Sequence, residues 1–198
     1  MEHYDVKKIA NTIIYFIDNN VENLGITKLM KLFFYADKYH LEEYGKPIFN
    51  HTYTKLPRGP VPTWLYSIIR TAISGVSDID FKSEVEIFNR YIGVKEKSNG
   101  EYSKVDFTKN EQFDKNFFSK SQIKILDKVI NEFKKITAKE ISEKSHDTKA
   151  WQSVELNQQI LYSTMVENPE VSEYINFMQA EKTSFSKNFQ KYKLQKVS

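Results

Sequence analysis

Four histidines, His3, His40, His51 and His146, are the side chains best suited to chemistry in this chain. A zinc or iron site asks for two histidines four apart on a helix, or a histidine with carboxylates at ligand spacing. No histidine pair has that spacing. Asp37 and His40 stand three apart, which places them on one face of a helix and would suit an oriented acid/base pair or two ligands. A histidine held by a neighbouring carboxylate or carbonyl is the commoner outcome, and it is the expectation for His40. His146 is accompanied by Asp147 and Trp151, and a capping or core hydrogen-bonding role is expected for it too. If His40 and His146 meet in the fold, they make either a buried polar network or a site, and the network is the expectation.

Nucleophilic and phosphate chemistry find no foothold. The chain has no cysteine, which removes disulfides, thiolate zinc sites and a thiol nucleophile together and fits a reducing cytoplasm. There is no Gly-x-Ser-x-Gly elbow, and six glycines standing singly form neither Gly-x-Gly-x-x-Gly nor a P-loop. These exclusions leave no enzyme, metal or cofactor signature to expect. One stretch keeps the question open: "KLPRGPVPTWLY", Lys55 to Tyr66, holds three prolines, a glycine, an arginine and two aromatics. A catalytic loop, a partner-binding lip and a strand-to-helix corner all use these residue types. Each proline biases the residue before it toward extended geometry, so Leu56, Gly59 and Val61 are expected to keep the chain straight until Pro62 opens a helix.

The elements around these residues follow from composition and period. With 198 residues, 40% hydrophobic and 14% aromatic, the chain can bury one sizeable core, and residues 1–198 read as a single domain. The net charge of +3 comes from 29 basic and 26 acidic residues, interspersed as on a solvated surface. The exception is the tail, where Lys187, Lys191, Lys193 and Lys196 fall between Thr183 and Ser198 with no acid. No apolar run reaches the ~20 residues of a membrane helix and no secretory leader opens the chain, so a cytoplasmic protein without a membrane partner is expected.

Apolar residues at Val6, Ile9, Ile13, Phe16 and Ile17 predict a first helix from Tyr4 to Asn20. A second follows in "ITKLMKLFFYADKYHLEEYG", with Thr27 as N-cap and Gly45 as C-terminal cap. A short strand is expected in "HTYTKL", then a helix from about Pro62 to Gly75. "EVEIFNRYIGV" and "YSKVDF" read as two strands of a hairpin with an Asn99-Gly100 turn. Capping boxes at Ser119/Gln122 and Thr137/Glu140 open two further helices, His146-Asp147 marks a break before a helical turn holding Trp151, and Pro169 marks another. The last segment places Val171, Ile175, Met178, Phe185, Phe189 and Tyr192 in alternating steps of four and three, broken only by Lys182. The fold class is therefore α+β, mostly α-helical: a compact helical domain with a small antiparallel β element and a long C-terminal amphipathic helix. That helix could dock on its own domain or on another chain.

Three blocks together resemble the Panacea domain family, antitoxin SocA-like and also known as phage-associated protein. "KLMKLFFYADKYHLEEYGKPI" is similar to its Lys-Leu-x-Lys-Leu-hydrophobic-Tyr-Ala-Asp-x-Tyr-His core and Tyr-Gly-x-Pro-Ile turn. Gly59-Pro60-Val61-Pro62 with the helix start after it resembles the second block, and "TAKEISEKSHDTKAW" the third. The blocks stand in the family's order from Thr27 to Trp151; Pro57-Arg58 occupies the place of a more usual Tyr-Gly, and residues 152–198 form an unaligned C-terminal extension.

The resemblance implies an antitoxin that neutralises a cognate protein toxin by direct contact in a bacterial or prophage toxin–antitoxin system. Motif residues offered for partner binding are Tyr35, Asp37, His40, Arg58, Gly59, Pro60, Trp64, His146 and Trp151. The alternatives are an adaptor delivering a partner for proteolysis and a DNA-binding regulator using the lysine-rich helix, although no basic recognition helix is evident and DNA is not the expected partner. A homodimer is a further option.

Overall fold

The structure is a computed structural model and describes residues 5–75, 81–98 and 103–195, with side chains of the final helix described through Phe185. The first helix, α1 (Val6–Asp18), begins where the Asp5 side chain accepts from Lys8 N, and it buries Ile9, Ile13 and Phe16. α2 (Ile26–Tyr44) lies at the centre, with Leu29, Leu32, Phe33, Phe34, Ala36 and Leu41 all buried. Its C-terminal cap is Gly45 with φ 67°, the left-handed geometry that glycine adopts without strain. Its N-cap is not Thr27, as the sequence suggests, but Gly25, extended and without a side-chain bond. Asn23 turns the chain at φ 52° and delivers Gly25 to the helix start, so Thr27 falls one residue inside.

The proline-rich stretch does not run straight. β1 (Tyr53–Leu56) reverses through Pro57-Arg58 into β2 (Gly59–Pro62), with Leu56 paired to Gly59 and Tyr53 to Pro62. The reversal is possible because Gly59 takes φ 100°, a conformation closed to most residues. Pro60 and Pro62 are two apart, so both point their missing donors away from β1. β2 is an edge strand of the sheet order β2-β1-β5, where β5 is Gln159–Ile160, and an edge tolerates proline on its unpaired side. The prolines hold each strand extended; the glycine's freedom is what folds the stretch back on itself.

α3 (Thr63–Ser74) follows directly from Pro62 and ends at Gly75. Most of "EVEIFNRYIGV" is helical, correcting the strand expectation: α4 spans Lys82–Tyr91, and only Ile92 onward is β3 (Ile92–Ser98). Short apolar runs fit either period, and here Phe88 is fully buried from a helix that packs on α1 and α3, with Val85, Ile87 and Tyr91 partly buried beside it. β3 pairs antiparallel with β4 (Ser103–Lys109), and the Asn99-Gly100 turn lies outside the described residues.

Both capping boxes form. Ser119 and Gln122 open α5 (Lys120–Phe133), and Thr137 and Glu140 open α6 (Ala138–His146). Thr148 then caps α7 (Lys149–Gln152) by accepting from Trp151 N. α2 packs against α5, α6 and β2, and one hydrophobic cluster runs through α1, α2, α3, α5 and α6. The last helix, α8 (Pro169–Gln195), starts at the proline that marked a break, since proline suits the first helical position. The architecture is α+β and mostly helical, with two small antiparallel sheets among the described residues.

Candidate functional site: a clamped hairpin tip

α2 carries four charged side chains into the interior, namely Lys28, Lys31, Asp37 and Lys38. A buried charge must find partners, and the fold supplies them unequally. Lys28 uses all three protons on the carbonyls of Glu22, Lys134 and Ile136, at 2.7, 3.0 and 2.7 Å, and so ties the end of α5 to α2. Lys38 pairs with Glu42, lies 3.5 Å from Glu167 and donates to Met165 O at 2.8 Å. Asp37 accepts from Ile48 N at 2.7 Å and Phe49 N at 2.9 Å, and from the Tyr53 hydroxyl at 2.8 Å. Burial nevertheless pushes its carboxyl up to about 6.

Lys31 is served least. Its ammonium donates to Pro60 O at 2.8 Å, the single hydrogen bond it makes among the described residues, and burial takes its pKa down to about 7. Above it, Gly59 passes so closely that a Cβ there would sit 2.2 Å from Ser145 Oγ and 2.5 Å from Lys31 Cε. Gly59 is thus required twice, by its φ and by this contact.

The rest of the hairpin tip is held from α6 and α7. The Ser142 hydroxyl donates to Arg58 O, and Trp151 Nε1 donates to Leu56 O at 3.2 Å. The carbonyls of Leu56, Arg58 and Pro60 are therefore clamped by Trp151, Ser142 and Lys31 in turn. Lys55 lies 4.0 Å over the Trp151 ring and donates to Val154 O at 2.8 Å. The His146 ring stacks on Trp151, with centroids 4.2 Å apart. Its Nε2 is enclosed and has no hydrogen-bond partner among the described residues, and burial together with the nearby Lys31 charge lowers its pKa. Pro57 and Arg58 are exposed at the tip.

Of the nine motif residues, the structure gathers Arg58, Gly59, Pro60, His146 and Trp151 into this one cluster. The other four serve the interior. Tyr35 packs on Phe133 with centroids 4.4 Å apart. Asp37 is the hub already described. His40 Nδ1 meets Lys46 O at 2.6 Å and its Nε2 meets Ser121 Oγ at 3.3 Å, the carbonyl-held histidine that the spacing suggests. Trp64 stands beside His51, whose ring is buried among Phe33, Phe49 and Tyr53 and whose pKa burial lowers to about 3. His40 and His146 have separate neighbours and build no shared network. Among the described residues, no group of three or more His, Asp or Glu side chains could hold a metal ion.

Lys31, Ser142 and Ser145 stand inside the family blocks but are not among the residues that sequence reasoning offers for partner binding. A signal exists for Lys31: it sits in an apolar helix with no acid three or four residues away on either side, so a buried position leaves it only carbonyls to bond.

The description "antitoxin SocA-like, Panacea domain" matches residues 29–152, well over half of the chain. The chain belongs to this family. The Panacea match begins inside α2 and ends with α7, so it contains the hairpin, its clamp and the buried Lys31, Asp37 and Lys38, while α1, β5 and α8 lie outside it. α1 is nonetheless built into the same core as the Panacea segment. No curated protein and no solved structure matches the chain. No helix among the described residues is long and apolar enough to cross a membrane.

Proposed function

We propose that this Panacea-domain protein is an antitoxin that neutralises a cognate protein toxin by direct contact, acting as a binding module and not as an enzyme. Family membership carries the reading. In this reading the toxin binds at the hairpin tip. Three carbonyls fixed from below hold Pro57 and Arg58 in one geometry, so little conformational entropy is lost when a partner closes on them. Arginine, exposed here as Arg58, and tryptophan, present as Trp151 on the Leu56 carbonyl, are residue types that anchor protein interfaces.

The test is co-expression with the product of the adjacent gene. The expected result is restored growth and a co-purifying complex, with Arg58→Glu weakening the complex at least tenfold while leaving the melting temperature unchanged. Absence of both rescue and complex would overturn the reading. Rescue that disappears in a host lacking its cytoplasmic proteases would reassign the protein as an adaptor for proteolysis.

A further inference from the structure

α8 is joined to the domain at one end. Its 27 residues make a rod about 40 Å long. The first two turns are anchored: Ile175 is buried, the Ser172 hydroxyl donates to Ser163 O at 2.8 Å, and the Tyr174 ring lies against Gly45. From residue 176 to residue 185 every side chain is exposed. Among them are Phe177 at 62%, Met178 at 47% and Phe185 at 74% of their full accessible area. A helix of this length projecting alone into water is marginal, because packing and not propensity supplies most helical stability.

Two features of the sequence say what covers it. The positions Val171, Ile175, Met178, Lys182, Phe185, Phe189 and Tyr192 step by four and three in strict alternation, the a/d pattern of a two-stranded coiled coil with Lys182 at one a position. Val171 and Ile175 pack on the domain's own core, so the part of this seam left for a second helix begins at Met178. The charges are also divided. Residues 169–181 carry Glu170, Glu173 and Glu181 and no base, whereas residues 182–198 carry Lys182, Lys187, Lys191, Lys193 and Lys196 and no acid. A helix that is acidic in one half and basic in the other is complementary to itself when reversed.

We propose that α8 pairs antiparallel with α8 of a second copy of this chain, making a two-fold symmetric dimer. In an antiparallel pair a positions face d positions, so Lys182 lies opposite Phe185 of the second copy and position 178 opposite position 189. The lysine stem then covers the ring and its ammonium can rest on the ring face. The basic half of each helix then points toward the acidic first half of the other. A parallel pair would instead set Lys182 against Lys182 and basic half against basic half, which like-charge repulsion disfavours. The dimer is independent of toxin binding, since the clamped hairpin lies on a different part of the chain.

Sedimentation of the full chain through the micromolar range tests the pairing, and Phe185→Glu should convert the dimer to monomer with no change in the melting of the domain. Direction is read by cross-linking, which the cysteine-free chain makes clean. An oxidised mixture of Lys182→Cys and Phe185→Cys chains should give a covalent dimer joined between the two different chains, and Lys182→Cys alone should not. A monomer at every concentration overturns the proposal, as does a dimer that survives Phe185→Glu or a Lys182→Cys chain that cross-links to itself. A monomer that binds the adjacent gene's product only when Phe185 is intact would give this face to the toxin and overturn the dimer while leaving the antitoxin reading standing.

Discussion

Asp37 and Lys31 lie six residues apart on the same helix, both excluded from water, and they are treated in opposite ways. Asp37 is surrounded by donors: two backbone amides from the turn after α2 and the Tyr53 hydroxyl converge on its two oxygens. Lys31 has three protons and one acceptor, Pro60 O. The first arrangement pins the chain after Gly45 to the helix and is a fixture of the scaffold. The second leaves a cation only partly compensated beneath the hairpin tip, so its protonation is coupled to the surface proposed for the partner. One helix thus carries a fully satisfied polar group and an under-satisfied one, and the difference separates what holds the fold from what the fold holds ready.

The contrast is broken most severely at Asp37. Asp37→Ala leaves Ile48 N, Phe49 N and the Tyr53 hydroxyl without this acceptor in a dry site, and the expected loss is about 3–5 kcal/mol. Urea unfolding at neutral pH measures it. Asp37→Asn keeps one amide oxygen for the two backbone donors and should recover more than half of that loss; equal losses for the two variants would show that the amide acceptor is not what matters. Gly59→Ala comes next, at about 2–3 kcal/mol, because a methyl at φ 100° also meets Ser145 Oγ and Lys31 Cε. Gly75 is the internal control: it has φ 65°, but a methyl group added there would meet nothing within 4 Å among the described residues, so Gly75→Ala should cost only its backbone strain, about 1 kcal/mol.

Much of this scaffold is legible in the sequence. Helical period, the two capping boxes, Gly45 and Gly75 place α1, α2, α3, α5 and α6, because each of those signals is local and nothing distant competes with it. α4 is misread because "EVEIFNRYIGV" satisfies both periods over a short window and only the burial of Phe88 against α1 and α3 decides between them. The site is legible in part. Arg58, Gly59, Pro60, His146 and Trp151 stand out as motif residues, but that the second and third blocks meet is a tertiary fact: the pairing of β1 with β2 brings the tip over α6. Ser142 and Ser145 look like ordinary polar positions on a helix, since a serine shows its purpose only when the carbonyl it serves, as Ser142 serves Arg58 O, is in place.

The coupling at Lys31 is sharpened by pH. Its ammonium titrates near 7 in the folded chain against an ordinary value of 10.5, so between those values the unfolded chain binds more protons than the folded one. Stability therefore rises with pH from about 7 toward 10.5, by at most about 1.4 kcal/mol per unit from this group. His146 does not confuse the window, because its lowered pKa places its titration below 6.5. Lys31→Met removes the buried cation at the cost of one hydrogen bond to Pro60 O. The variant should lose this rise with pH, and its stability relative to the wild type should be greatest below pH 7. Unfolding midpoints of both proteins at pH 6, 7, 8 and 9 give the difference, and two parallel curves would show that Lys31 does not titrate in this range.

The smallest effect is expected at His146, where the geometry revises what the sequence suggests. A histidine hydrogen-bonded into a polar network would cost about 1–3 kcal/mol on removal, by stranding its partner. His146 Nε2 strands nothing, because no group among the described residues donates to it or accepts from it, and what the ring supplies is its stack on Trp151. His146→Ala should therefore cost about 0.5–1.5 kcal/mol, the worth of an aromatic contact. His146→Phe, which keeps the stack and discards both nitrogens, should be close to neutral. If His146→Phe is instead as damaging as His146→Ala, the nitrogens matter after all, and the third family block would belong with Asp37 among the groups that hold the fold and not with the tip that the fold presents.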